Sequence, residues 1–486
     1  MFYTNVEMLG DSILYRGVKD GKRIRQRVKY KPKLCVPSPD EGTWTTLKGN
    51  PLKEIRFDSM RDARNYIKQF DGVSNFQVYG NNRYDYSFIS DLYPDDIDWD
   101  LSHLCVAYVD IEVGSENGFP EPSLANEAVT AITLHIDKKY YVLGCGDFKV
   151  HRGDVEYYKC DDEFGILNKF IDIWTMYYPD VVSGWNIKFF DFPYLVNRIR
   201  KLFGEEKHLK LSPWAKVNEK EVFYNQRSHQ TYQILGVAIL DYIELYRKYS
   251  PNPNQESYKL DHICHVELGE RKLDYSEYDS LHHLYRDDYQ KFIEYNVKDV
   301  ELVERLEDKM RLIELAATLA YDAKVNYEDI FSQVRMWDTI IYNALKKKRI
   351  VIPPKKESQK DSQYAGAFVK DPLIGMHEWV ASFDLNSLYP HLIMMYNLSP
   401  ETLIEPDDYD AAMRSVSNID IEHLLKNEVD LSFLKDNNIT MTPNRQFFKR
   451  DKQGFLSEIM ERMYEDRAVF KAKAIDARKR KEVATT

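Results

Sequence analysis

Apolar and polar positions alternate along residues 13–31, "ILYRGVKDGKRIRQRVKYK", on either side of Asp20-Gly21. That pattern predicts a β-hairpin turning at the Asp-Gly pair. "SMRDARNYIKQF" (59–70) has helical spacing, and "DLYPDDIDWDLSH" (91–103) is an acidic, polar connector suited to a domain boundary. From Leu104 the pattern changes to alternating strands and helices. "LCVAYVDIEV", "AVTAITLHI" and "KYYVLGCG" are apolar runs of strand length, and "DEFGILNKFIDIWTMYY" is an amphipathic helix leading to a further strand in "DVVSGWN". "VFYNQRSHQTYQI" predicts a second hairpin, and residues 289–320 one long helix broken once. A proline-bearing basic linker spans 346–363. Beyond it "WVASFDL" (379–385) is strand-like and leads through a turn into a helical run with Tyr389 and Pro390. The tail from Arg467 is strongly basic.

With 486 residues, three or four domains are expected. No apolar run is long enough to span a membrane, and the first residues lack the basic and apolar regions of a signal peptide. Five widely spaced cysteines predict reduced thiols in a cytosolic compartment. "DHICH" gathers His262, Cys264 and His265, but a zinc site needs more ligands, so a packed segment is the expectation. A net charge of −11 argues against a protein that coats nucleic acid, yet leaves room for an enzyme with a local basic channel.

Three acidic motifs carry the candidate chemistry. Asp110 and Glu112 sit at i and i+2 on a predicted strand, so both face the same side. Two like charges there call for a cation between them, unless the strand end is solvated. Asp191 follows "GWN" and an apolar turn, where a helix begins; a helix-capping acid is the plain alternative. Tyr295 and Asp299 share one helix face at i and i+4, which also describes a core tyrosine beside a surface acid.

Taken together, the three resemble the exonuclease motifs of the DnaQ-like 3′–5′ exonucleases, and "FDLNSLYPHLI" (383–393) resembles motif A of the family B DNA polymerases. "QYAGAFV", with Tyr364 and Gly366, resembles the motif joining exonuclease and polymerase modules. "GFPEPS", "ILDYIELYRKYS", "SYKLDHI" and "MWDTIIYNALK" resemble the replicative enzymes of large tailed phages.

The resemblance implies a multidomain α/β protein with an RNase H-like 3′–5′ exonuclease core, a β-rich N-terminal domain and a partial palm. It divides the chain into an N-terminal domain (1–103), the exonuclease (104–311), a return segment of the N-terminal domain (312–354), the partial palm (355–452) and the start of the fingers (453–486). Asp110, Glu112, Asp191 and Asp299 would hold two Mg²⁺ or Mn²⁺ ions, and Tyr295 would help place the attacking water. Asp384 would be the first metal-binding aspartate of the polymerase site, Leu385 would lend its carbonyl, and Tyr389 would lie under the incoming sugar. Arg467 and Lys471 would face the triphosphate. The "VFYNQRSHQTYQI" hairpin falls where these enzymes have a strand-separating hairpin.

Motif B (K-x-x-x-N-S-x-Y-G) and motif C (Y-G-D-T-D-S) do not occur in the 486 residues. The expectation is therefore the N-terminal subunit of a split polymerase, with a working exonuclease and a second subunit carrying motifs B and C. Its other partners would be primer–template DNA, single-stranded 3′ ends, deoxynucleotides and a sliding clamp, in the cytoplasm of a phage host. Two other readings stay open: a stand-alone exonuclease with a vestigial palm, and a non-catalytic nucleic-acid-binding module.

Overall fold

Asp20 and Gly21 both adopt positive φ, +53° and +71°, as a two-residue turn between right-twisted strands requires. They join β2 (Ser12–Lys19) to β3 (Lys22–Val28), and β1 (Phe2–Leu9) completes an antiparallel sheet in the order β1-β2-β3. The computed structural model describes residues 1–40, 42–73, 76–114, 118, 120–224, 227–354, 369–404, 412–414, 416 and 421–485. Their contacts divide into two units. Met1–Pro32, Phe57–Ala63 and Arg83–Ile340 form the first; Lys33–Arg56, Arg64–Asn82 and Ile341–Thr486 form the second.

After β3 the chain makes β4 (Lys33–Pro37), β5 (Trp44–Thr45) and β6 (Pro51–Arg56), a sheet of the second unit in the order β4-β6-β5. Helix α1 (Met60–Gln69) follows, started by Ser59, whose Oγ accepts the Asp62 N–H at 3.1 Å. Next come α2 (Tyr84–Leu92) and the central sheet of the first unit: β7 (Val106–Val113), β8 (Val129–Ile136), β9 (Lys139–Gly144) and β10 (Val155–Lys159). Helix α3 (Glu163–Tyr177), β11 (Val181–Ser183) and α4 (Asp191–Phe203) continue the α/β pattern. A hairpin of β12 (Val217–Tyr224) and β13 (Arg227–Ile234) precedes β14 (Ala238–Ile239). The sheet order is β10-β9-β8-β7-β11-β14, with β11 parallel to both β7 and β14.

Helices α5 (Tyr242–Tyr249), α6 (Leu260–Leu268), α7 (Leu281–Asp287), α8 (Tyr289–Met310) and α9 (Leu312–Ala323) follow. The expected single break falls at Arg311, in the left-handed region at φ +53°. Alternation along β7 explains the layering. Ala107, Val109, Ile111 and Val113 join Phe170, Trp174, Phe192 and Leu195 of α3 and α4 in one buried core. Tyr108, Asp110 and Glu112 turn to the other face, where α8 packs.

Asp180, just before β11, is buried and ties the N-terminal sheet to this core. It accepts Arg16 Nη2 and Thr4 Oγ1, both at 2.9 Å, and the Cys105 N–H at 3.1 Å. Residues 321–326 lie against β1: the Tyr321 hydroxyl donates to Tyr3 O at 2.8 Å, and Asn326 Nδ2 to Val6 O at 2.8 Å.

Helix α10 (Gln333–Lys347) begins in the first unit and ends in the second, where the residues after it pair with β5. Thr45 donates its N–H to Arg349 O and accepts the Val351 N–H, each at 2.9 Å, bridging Ile350 in parallel. Helix α11 (Leu388–Tyr396) packs along the helix Phe455–Thr485, with His391 edge-on to Tyr464 at 4.7 Å. The expected strand at 379–385 is not formed. These residues are irregular, and Trp379, Val380, Phe383 and Leu385 are exposed. A strand takes its hydrogen bonds from a neighbour, and among the described residues none pairs with this run.

Candidate active site

The acids of β7 are delivered by period-two geometry, and α8 brings the third. Ligand oxygens of Asp110, Glu112 and Asp299 all lie within 4.8 Å of one another. Glu112 and Asp299 are buried, and Asp110 is partly buried. This removes the solvated-strand-end reading of Asp110 and Glu112 and the surface-acid reading of Asp299. Opposite Asp110 in the sheet stands Thr133, whose hydroxyl donates to Asn296 Oδ1 at 2.5 Å. Asn296 Nδ2 in turn donates to Asp110 Oδ2 at 2.7 Å, which sets the rotamer of the carboxylate.

Asp191 arrives from the parallel strand. Parallel strands end at the same edge of a sheet, so the loop after β11 opens where β7 presents its acids. Gly184 starts that loop, and a Cβ there would lie 2.5 Å from Val109 O and 2.4 Å from Ile187 Cγ2. Buried Asp241 holds the loop's backbone, accepting the N–H groups of Asn186 at 2.9 Å and Lys188 at 3.0 Å, and caps its own helix α5 by accepting the Ile243 N–H at 3.2 Å. Asp191 lies in the first turn of α4, and its Oδ1 accepts the Ile111 N–H at 3.1 Å.

Lys272 was not among the residues singled out from the sequence, yet it enters this site. Its Nζ donates to Asp299 Oδ2 at 2.5 Å and to Tyr295 OH at 2.9 Å. Nothing in "GERKLDYSEYDS" distinguishes Lys272 from Arg271; only the packing does. Burial would lower the lysine's pKa, but the Asp299 carboxylate in contact with it outweighs burial and holds it protonated. Burial, then Asp299, push the Tyr295 phenol up against the pull of Lys272, so it stays neutral. The carboxyls shift upward too. Burial and then the charge of Asp299 raise Glu112 to about 8. Burial raises Asp191 to about 7, despite the bond from Ile111. Burial, then Asp299, Glu112 and Asp191, hold Asp110 well above its ordinary range.

Three converging acids, with Lys272 on one of them and Asp191 tied to the strand between the other two, suit a divalent cation. Asp299 Oδ1 supports the fit, being buried with no hydrogen-bond partner. Among the described residues no other group of three ligands converges in this way. "DHICH" lies in α6 with Cys264 packed inside, its thiol pushed up to about 12 by burial.

The residues expected at the polymerase site lie in the second unit. Asp384, Leu385 and Tyr389 are exposed, before and at the start of α11. Arg467 Nη1 donates to Ser387 Oγ at 3.1 Å, beside the turn that follows Asp384. Lys471 is exposed four residues further along the same helix. Tyr364 and Gly366 lie outside the described residues. Among the described residues no helix is long and apolar enough to cross a membrane.

Residues 81–263 match the family described as DNA polymerase family B, exonuclease domain, and residues 331–485 match DNA polymerase family B. The chain is 35% identical over 432 residues to the DNA-directed DNA polymerase of Escherichia phage RB69, and 32% identical over 430 residues to that of Enterobacteria phage T4. Each alignment covers 83% of this chain and 47% of the phage protein, so the chain spans about half the length of these relatives. It is also 26% identical over 379 residues to the DNA polymerase delta catalytic subunit of Schizosaccharomyces pombe, covering 74% of this chain and 33% of that one.

Proposed function

Because the chain belongs to the family B DNA polymerases, we propose that it removes nucleotides from DNA 3′ ends at the acidic site of the first unit and carries the motif A half of a polymerase site in the second. The observation that carries the nuclease reading is the convergence of Asp110, Glu112 and Asp299 within 4.8 Å, joined to Asp191 through Ile111.

Asp110, Glu112, Asp191 and Asp299 would hold two divalent ions, Mg²⁺ or Mn²⁺. Bound there, such ions would supply Lewis acidity to activate water and to offset charge on the leaving 3′ oxygen. The chain's own groups do the rest. Asn296 and Thr133 fix the Asp110 carboxylate. Neutral Tyr295 offers a hydroxyl to orient water, and Lys272 offers a fixed positive charge to a phosphate.

For synthesis, Asp384 would be one metal ligand, Leu385 would add its carbonyl, and Tyr389 would contact the sugar. Arg467 and Lys471 would meet the triphosphate; the bond from Arg467 to Ser387 supports its nearness to that turn. Motifs B and C would come from outside the 486 residues. Primer–template DNA, deoxynucleotides and a sliding clamp would be the other partners, in the host cytoplasm of a phage infection. We also propose that residues 312–354 belong with the N-terminal domain, on the strength of the Tyr321 and Asn326 bonds to β1.

The test is a gel assay on a 5′-labelled primer–template with Mg²⁺, with and without deoxynucleotides. Shortening without extension supports the reading. Extension by these residues alone overturns the half-site reading, and no shortening overturns the nuclease.

A further inference from the structure

Between α6 and α7, residues 270–280 form no regular structure and lie against α8 as a strap that carries Lys272. The strap leaves α6 at Gly269, in the left-handed conformation at φ +74°. Ion pairs fasten it to α8. Glu270 Oε2 meets Arg305 Nη1 at 2.6 Å and Lys298 Nζ at 3.4 Å, and Glu277 pairs with Lys291. Tyr275 stands edge-on to Tyr295 at 5.2 Å. These ties hold the strap down, but none grips the backbone at residue 272. One carboxylate on α6 does: Asp261 Oδ1 accepts the backbone N–H of Lys272 at 3.0 Å, and Asp261 Oδ2 accepts Arg271 Nη1 at 2.7 Å.

We propose that Asp261 is a positioning residue for Lys272, fixing through the strap's backbone the depth at which the lysine ammonium enters the acidic site. This rests on the nuclease reading above. A lysine side chain is a point charge on a flexible stem, so its head is placed by where its backbone is held. Asp261 is a firm anchor because it sits in the first turn of α6, where the helix dipole favours a carboxylate. Helix α6 packs on α8, so anchor and acids share one frame. The competing account makes Asp261 a helix-dipole partner with a surface ion pair to Arg271. It predicts a change in stability and none in catalysis.

A double-mutant cycle with Lys272→Ala separates the two, read as the single-turnover rate on a saturating single-stranded oligonucleotide in Mg²⁺. Asp261→Ala is expected to slow the step by about ten-fold, since a misplacement of about 1 Å can cost more than that. Oligonucleotide affinity should stay within about two-fold, because the charge remains in the protein. Asp261→Asn, which keeps an oxygen for the Lys272 N–H, should retain most of the rate. In the Lys272→Ala background, Asp261→Ala should cost nothing more. Hydrogen exchange at the Lys272 amide gives a second readout, independent of activity: protection should be lost in Asp261→Ala and kept in Asp261→Asn. The same ten-fold loss in both backgrounds, or an amide equally protected without the carboxylate, overturns the proposal. A wild-type protein that cleaves nothing, with an amide protected only while Asp261 is present, overturns the nuclease reading and supports the grip.

Discussion

Asp191 and Ile111 are joined by a hydrogen bond of 3.1 Å, from the one backbone N–H that lies between Asp110 and Glu112 in sequence. Strand β11 stops opposite Tyr108, and Asp191 takes up an N–H that β7 still presents three residues further on. One carboxylate thus serves as a strand's missing neighbour and as a proposed metal ligand. The two roles can be separated. Asp191→Asn keeps the acceptor and should leave stability in EDTA near wild type while abolishing nuclease activity. Asp191→Ala should also lose about 1–3 kcal/mol through the unmade buried bond. Denaturant melts alongside the gel assay check this; equal stability of the two variants would refute the structural role.

A divalent ion that binds the folded protein alone must stabilise it by mass action. Adding Mg²⁺ or Mn²⁺ to the EDTA-treated protein should raise its melting temperature. In the Asp110→Ala, Glu112→Ala double variant the rise should vanish, and nuclease activity should fall on the order of 10³-fold or more. Survival of either in the double variant would place the metal site elsewhere.

Lys272 is the cation in contact with Asp299, whose other oxygen has no partner. Lys272→Ala leaves a buried carboxylate uncompensated, which in the metal-free protein should cost on the order of 3 kcal/mol. Activity should fall by about 10²-fold, as when one preorganised charge is removed from a reaction centre. Calorimetry in EDTA and single-turnover rates in Mg²⁺ measure the two effects. A stable, fully active variant would mean that the lysine has no part in the site.

Glu7 predicts a pH dependence away from the active site. It accepts Gln233 Nε2 at 3.0 Å. Burial, then the charges of Glu328, Asp85 and Asp329, push its carboxyl up from 4.5 to about 8, with Lys220 pulling the other way. The folded value lies above the unfolded one, so the folded state holds its proton longer. Its contribution to stability is present at low pH and lost as pH rises from about 4.5 to about 8. Glu7→Gln removes the ionisation and keeps an oxygen for Gln233. The denaturation midpoint of wild type, relative to the variant, should fall between about pH 5 and pH 8; a constant difference refutes the assignment.

The parts of this site legible in the sequence are those fixed by a repeat. Asp110 and Glu112 share a face because a strand has period two, and Tyr295 and Asp299 because i and i+4 meet on a helix. The hairpin at Asp20-Gly21 needed only its turn chemistry. Lys272 could not be read in this way. It lies in an irregular, charged strap, 27 residues before Asp299, and only the folded chain brings the two together. Asp384 shows the converse. The apolar run around it has strand character, but pairing depends on a neighbour that no local pattern specifies, and the described residues leave that run open.

Asp241 has a consequence for how this chain can vary. Its carboxylate spans the Asn186 and Lys188 N–H groups from one fixed point at the head of α5. The seven residues between Ser183 and Asp191 therefore behave as a gauge of set length. One residue added or removed there would break the grip on the loop and turn Asp191 away from Ile111. The loop between α4 and β12 bears no such gauge on an acid of the site. A library of single-residue insertions should be depleted across 184–190 and populated across 204–206, with the site written into the spacing of the chain as firmly as into its letters.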